Sequence, residues 1–188
     1  MKFLDISRKP ARGCEKPVNH LGNPFIKLRA LQVQDFDSVM RWNKDKAFCL
    51  ANGWETGRSE DELYVWWINC VKRQSPDFLR MGIQYESRLI GYADLANING
   101  ISAELGIAIG ESRLWGLGVG TETLKLLMNL GIEKFGTQVF EAETHEVNAR
   151  SRKMLGNLGF TEISRIGNEE YMGKESQLIQ YRYNRGNG

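Results

Sequence analysis

At 188 residues with 41% hydrophobic side chains, the chain is long enough for one domain with its own core. Lys and Arg total 25 against 23 Asp and Glu, a formal net charge of only +2 with no Lys/Arg block, which argues against a nucleic-acid partner. Cys14, Cys49 and Cys70 form no C-x-x-C pair and no histidines cluster, so neither a disulfide framework nor a metal site is expected, and no apolar run approaches the roughly 20 residues of a membrane span.

Residues 1–23, with Pro10, Gly13, Pro17 and Gly22 among scattered charges, lack sustained periodicity and read as an extension before a domain spanning 24–184. The start has no apolar signal-peptide core, so a soluble cytoplasmic protein, away from membranes, is expected. Residues 25–30 alternate like a half-buried strand, and Asp35 is placed to cap a helix carrying Phe36, Val39 and Met40. The stretch 44–58 looks irregular, until Ser59 and Glu62 form a capping box for a helix running to about 72. Runs 78–85 and 89–98 predict a β-hairpin across Glu86-Ser87-Arg88, and 102–110 extends it to a three-strand meander.

A glycine-rich turn then leads into a helix over 120–135 with Leu124, Leu127, Met128, Gly131 and Phe135 on one face. Residues 138–144 predict a strand, 149–158 a helix ending at Gly159, and 161–165 and 177–183 two closing strands. A meander followed by alternating strands and helices implies a mixed sheet with helices on its faces, an α/β (α+β) arrangement.

The segment Arg113-Leu114-Trp115-Gly116-Leu117-Gly118-Val119-Gly120-Thr121 lies between a strand and that long helix. Glycines let a backbone approach a ligand, and the unpaired N–H groups of a helix's first turn attract phosphate oxygens. A simple tight turn is the competing account. The dinucleotide fingerprint G-x-G-x-x-G fails because Gly120 arrives one residue early, and a P-loop is excluded because no Lys follows the glycines.

The R-x-x-G-x-G pattern at Arg113, Gly116 and Gly118 resembles the acetyl-CoA pyrophosphate loop of the GNAT superfamily of N-acetyltransferases. The run Asn148 to Phe160, with Ser151 and Leu158-Gly159-Phe160, resembles the family's N-x-x-S...L-G-F helix beside the pantetheine arm. Trp115-Gly116, Ser151 and the tail Glu170-Tyr171 followed by Gly173-Lys174 are similar to the branch that acetylates ribosomal-protein N-termini. The resemblance covers about 25–183. It implies a mainly antiparallel mixed sheet of about six to seven strands, with helices on both faces, and acetyl-CoA as co-substrate with no metal. It also implies that the amides of Leu117, Gly118, Val119, Gly120 and Thr121 hold the pyrophosphate, with Arg113, Trp115 and Gly116 shaping the loop. The strand edge at Ile107, Ala108 and Ile109 would meet the pantetheine amides, with Asn148 and Ser151 on the same arm; a helix cap for Asn148 and a solvated face for Ser151 are the simpler structural accounts.

Attack by a neutral amine on a thioester requires a base, a donor for the oxyanion and an acid for the thiolate. On the strand over 102–110, Glu104 shares a face with small Gly106 and Ala108, which leaves room for substrate, and it matches the base position of several family members. Glu170 is the second candidate base. The acid position that many members fill with tyrosine is Leu155 here, leaving Ser151 or Tyr171, and the oxyanion donor is expected at a main-chain N–H near Ala108. His145 reads as a structural histidine at a strand end, and neither Cys49 nor Cys70 has a neighbouring base for an acyl-enzyme. Trp42, Phe48, Trp54 and Glu55 belong to the region that shapes the acceptor site in this family. The implied partner is an amine, small molecule or protein N-terminus, for a monomer or homodimer. The alternative is a catalytically silent CoA-binding regulatory module, motivated by the absent tyrosine.

Overall fold

The structure, a computed structural model, describes residues 26–73 and 75–186; the predicted extension over 1–23 lies outside the described residues. The elements run β1 (Ile26–Arg29), α1 (Phe36–Trp42), α2 (Lys46–Ala51), α3 (Glu60–Lys72), β2 (Leu79–Tyr85), β3 (Arg88–Ala96) and β4 (Ser102–Ile109). They continue as α4 (Val119–Phe135), β5 (Val139–His145), α5 (Ala149–Asn157), β6 (Thr161–Ser164), β7 (Asn168–Tyr171) and β8 (Lys174–Asn184). The sheet has eight strands in the order β1-β2-β3-β4-β5-β8-β6, and β7 also pairs with β8. Every pairing is antiparallel except β4 with β5.

Each face of the sheet carries its own core, as the two-residue period of the strands requires. On one face Leu124, Leu127 and Met128 of α4 and Leu155 of α5 pack on Ala103, Leu105, Phe140 and Ile179. Gly131 lets α4 approach closely, because a Cβ there would sit 2.9 Å from the Phe140 ring. On the other face Val39 and Trp42 of α1 and Leu63 and Trp67 of α3 cover Leu89 and Ala108. Leu63, Leu127 and Phe140 are fully buried; each such side chain contributes about 1.5–3 kcal/mol relative to leaving it in water.

Three local features differ from the sequence expectations. Asp35 stands at the start of α1 but caps nothing in it: its carboxylate accepts from Arg29 at 2.6 and 2.7 Å and from the Gln32 N–H at 2.9 Å, bracing β1 against the turn before α1. The stretch expected to be irregular contains α2, started by the Asp45 side chain accepting from the Phe48 N–H at 3.1 Å. Six residues burying only Phe48 and Cys49 are too few to show a helical period. β7 is an additional strand, joined to β8 by Met172-Gly173 at φ 53° and 78°, the left-handed pair that a two-residue hairpin turn uses. The Ser59–Glu62 capping box forms as expected.

The sheet divides in the middle. β4 pairs with β5 only from Ser102↔Val139 to Glu104↔Glu141, while β4 stays with β3 to Ile109 and β5 stays with β8 to His145. From Leu105 onward a wedge opens between the two halves, with the ends of β4, β5, α4 and α5 around it.

Candidate active site

A cavity of about 460 Å³ lies at the wide end of this wedge, and a second of about 340 Å³ runs deeper towards Glu104. They share Asn52, Ile107, Asn148, Ser151, Met154 and Tyr171, so they form one continuous passage.

The loop before α4 builds one wall. Gly116 and Gly118 have φ of 78° and 84°, values that L side chains rarely adopt, and this reversal turns the chain into α4. The first helix-internal partner in this turn is the Gly118 carbonyl, taken by the Glu122 N–H at 3.1 Å. Among the described residues, the N–H groups of Val119, Gly120 and Thr121 therefore have no acceptor, at the positive end of a 17-residue helix. The Trp115 indole N–H donates to the Ile109 carbonyl at 2.9 Å, tying the loop to β4, and Arg150 lies over the Trp115 ring at 4.1 Å. Arg150 and Lys153 line the outer cavity, whose wall has no carboxylate among the described residues.

The strand edge of β4 is the second wall. The Gly110 N–H bonds to the Ile90 carbonyl at 2.8 Å, so the same alternation turns the amides of Gly106 and Ala108 towards β3. The main-chain groups of Leu105, Ile107 and Ile109 consequently face the wedge. This narrows the expectation of an oxyanion donor near Ala108: the Ala108 N–H itself is committed to β3, and the neighbouring N–H groups of Ile107 and Ile109 face the wedge.

Of the expected site residues, Ile107, Ala108, Ile109, Trp115, Gly116, Gly118, Gly120, Thr121, Asn148 and Ser151 line the outer cavity. Asn148 also caps α5, its Oδ1 accepting from the Ser151 N–H at 3.2 Å. Leu117 is exposed and Val119 buried, so only their main chain can contribute. Arg113 lies outside the cavity wall, its guanidinium held by the buried Glu111, which also pairs with Arg88 at 3.4 Å.

Glu104, Ser151 and Tyr171 come together around the inner cavity. The Asn97 amide donates to Glu104 at 2.8 Å. The β7–β8 hairpin delivers Tyr171 to the junction of both cavities, where it is buried and stacks on His145 with ring centroids 4.6 Å apart. Glu170 is exposed and outside both walls, because alternation along β7 directs Glu169 and Tyr171 to the cavity side instead. Trp42 and Phe48 are fully buried in the helix-side core and reach neither cavity. Trp54 packs on that core against Phe48, and Glu55 is exposed; the α2 residue Ala51 and the adjoining Asn52 line the passage instead.

Sequence reasoning missed Glu143, Glu169, Arg150 and Lys153, and set His145 aside. His145 lines the inner cavity with its Nδ1 buried and unpartnered among the described residues; its place at a strand end just before Asn148 was the available signal. No group of metal-ligating side chains occurs among the described residues, and no described helix is long and apolar enough to cross a membrane.

Comparison with known proteins gives this geometry a context. Similar solved structures include spermidine N-acetyltransferase from Vibrio cholerae in complex with CoA and spermine, at TM-score 0.72 and 20% identity, covering 87% of this chain and 98% of that one. The ribosomal L7/L12 α-N-protein acetyltransferase RimL in complex with CoA matches at TM-score 0.73 and 18% identity, over 86% of this chain and 95% of that one. The microcin C7 self-immunity acetyltransferase MccE, in complex with acetyl-CoA and AMP, matches at TM-score 0.72 and 17% identity, over 86% and 93%. At such identities these likenesses establish the fold alone. A relative in sequence, an uncharacterized protein of Methanocaldococcus jannaschii, is 27% identical over 159 residues, which is 78% of this chain but only 30% of that protein's length. The family model of the GNAT acetyltransferase domain matches residues 26–161, most of the described fold and the whole loop before α4, and the chain therefore belongs to the GNAT acetyltransferase family.

Proposed function

We propose that the chain is an acetyl-CoA-dependent N-acetyltransferase in which an amine attacks the thioester directly. The observation that carries this reading is the run of unpaired main-chain donors at Val119, Gly120 and Thr121 beside the open edge of β4, at one end of a passage that leads to Glu104. A diphosphate suits those donors, Arg150 and Lys153 add positive charge at the same mouth, and the amides of Ile107 and Ile109 suit an extended chain of amides in the wedge. CoA or acetyl-CoA in the structural relatives supports this choice, and their named acceptors, a polyamine and a ribosomal-protein N-terminus, support an amine.

Acetyl-CoA would supply an activated acetyl group as its thioester, and this chain's residues do the remaining work. The Ile107 or Ile109 N–H donates to the carbonyl oxygen on which charge develops. Glu104 accepts the proton that the amine loses. At about 3.3 Å per residue its Cα is roughly 10 Å along β4 from Ile107, so a water carries that proton. As the C–N bond forms and the C–S bond breaks, Tyr171 at the cavity junction provides the proton for the departing sulfur, a role that Leu155, which lines the inner cavity with an aliphatic side chain and has no proton to give, cannot fill. The Ser151 side chain lines the same junction and orients the arm.

Thiol release from acetyl-CoA across N-terminal peptides, aminosugars and polyamines tests the reading. Glu104→Gln is expected to lower kcat by about 100-fold, the lower range for a general base, with CoA affinity retained. CoA binding without thiol release for any amine would instead make the chain a silent CoA-binding module.

A further inference from the structure

The passage is divided by charge. Among the described residues, the outer cavity has Arg150 and Lys153 and no carboxylate, whereas the inner one has Glu104, Glu143 and Glu169 and neither Lys nor Arg. Other carboxylates near this sheet face are neutralised by arginines: Asp94 beside Gly106 by Arg80 at 2.6 Å, and Glu141, opposite Glu104 in the parallel pairing, by Arg182 at 2.6 Å. Among the described residues, Glu104, Glu143 and Glu169 have no ionic partner. The neutral amides of Asn97 and Gln180 orient Glu104 and Glu143, at 2.8 and 2.6 Å, without cancelling their charge. A separate observation points to a ligand at the same place: Tyr171 is only 7% exposed, yet its hydroxyl has no partner among the described residues and the side chain lines both cavities.

Spacing follows from the strands. Glu141 lies opposite Glu104, and Glu143 is two residues further along β5, so the Cα atoms of Glu104 and Glu143 are at least about 8 Å apart from strand separation and rise alone. Gly106, the next residue on the Glu104 face of β4, also lines the inner cavity and has no side chain to obstruct an aliphatic linker.

We infer that the acceptor is an aliphatic amine with a second positive charge, its reacting nitrogen facing Glu104 and its remote ammonium held between Glu143 and Glu169. This rests on the acetyl-transfer reading above and narrows its acceptor class. Three uncompensated carboxylates attract a dication and disfavour an acidic acceptor, and the attraction weakens as salt screens it.

The test compares 1,4-diaminobutane with butylamine, at low and at about 0.5 M ionic strength, where the screening length is only a few ångströms, by thiol release from acetyl-CoA, with CoA affinity measured in parallel by calorimetry. The diamine is expected to have a kcat/KM about five- to tenfold higher at low salt, the size expected for two partly exposed ion pairs, with the preference shrinking at high salt. In the double variant Glu143→Gln, Glu169→Gln the ratio should fall towards one, whereas the double variant Glu133→Gln, Glu175→Gln, an equal charge change at exposed positions outside both cavity walls, should leave it intact. Equal kcat/KM for the two amines in the wild type, or a preference that survives the double variant, would overturn the inference while leaving acetyl transfer standing. Tight CoA binding with no thiol release from either amine or any other acceptor would overturn both.

Discussion

The Trp115 indole N–H donates to the carbonyl oxygen of Ile109 at 2.9 Å, so the glycine loop and the open edge of β4 are held in one fixed relationship. This bond helps to set the distance between the two surfaces proposed to hold the diphosphate and the arm. Trp115→Phe keeps a ring beneath Arg150 but removes the donor. CoA affinity by calorimetry should fall about fivefold, the worth of one hydrogen bond of about 1 kcal/mol.

Gly118 has a φ of 84°, and a Cβ placed there would meet nothing within 4 Å, so a side chain at this position acts through the backbone alone. Gly118→Ala should cost about 1–2 kcal/mol, the penalty of a left-handed non-glycine residue, and should weaken CoA binding because the loop relaxes. Gly100→Ala, at the same φ in an open loop outside both cavity walls, should match it in urea denaturation yet leave CoA affinity alone.

The loop and the start of α5 were legible in the sequence because both are local: the spacing of Arg113, Gly116 and Gly118, and of Asn148 and Ser151, is fixed within one turn of chain. What depended on register was not. Glu169 rather than Glu170 lines the inner cavity because the Met172-Gly173 turn sets how β7 pairs with β8. The Ala108 amide is turned away from the wedge by the β3–β4 register, which no pattern within β4 reveals. Trp42 and Phe48 were legible as large apolar residues, but only the packing of α1 and α3 decides that they fill a core.

That core assignment is itself testable. Phe48 is fully buried against Trp42 and Trp54. Phe48→Ala should lower stability by about 3–5 kcal/mol in urea denaturation, while the KM for an amine measured below the unfolding temperature stays near the wild-type value. A large KM increase in folded protein would return Phe48 to the acceptor site.

Asp45 links α2 to the loop before α4, its carboxylate accepting from the Ser112 N–H at 2.8 Å and the Phe48 N–H at 3.1 Å. Burial alone would raise its pKa, but the hydrogen bonds from Ser112 and from the amides of Phe48 and Ala47 outweigh burial and hold it below the ordinary value of 3.8. A pKa depressed on folding means a contribution fully present above the unfolded value and lost as pH falls through the folded one. Asp45→Asn should therefore be less stable than wild type at neutral pH, and the gap between their urea midpoints should close as pH drops below about 3.8. A gap that widens in acid would contradict the sign of this linkage.

A crystal structure of the protein with acetyl-CoA bound tests the central claim most directly. The account predicts diphosphate oxygens within hydrogen-bond distance of the N–H groups of Val119, Gly120 and Thr121, and a pantetheine arm running along Ile107 and Ile109 towards Tyr171. A nucleotide seated elsewhere, or a wedge that stays closed to it at saturating concentration, would contradict the account.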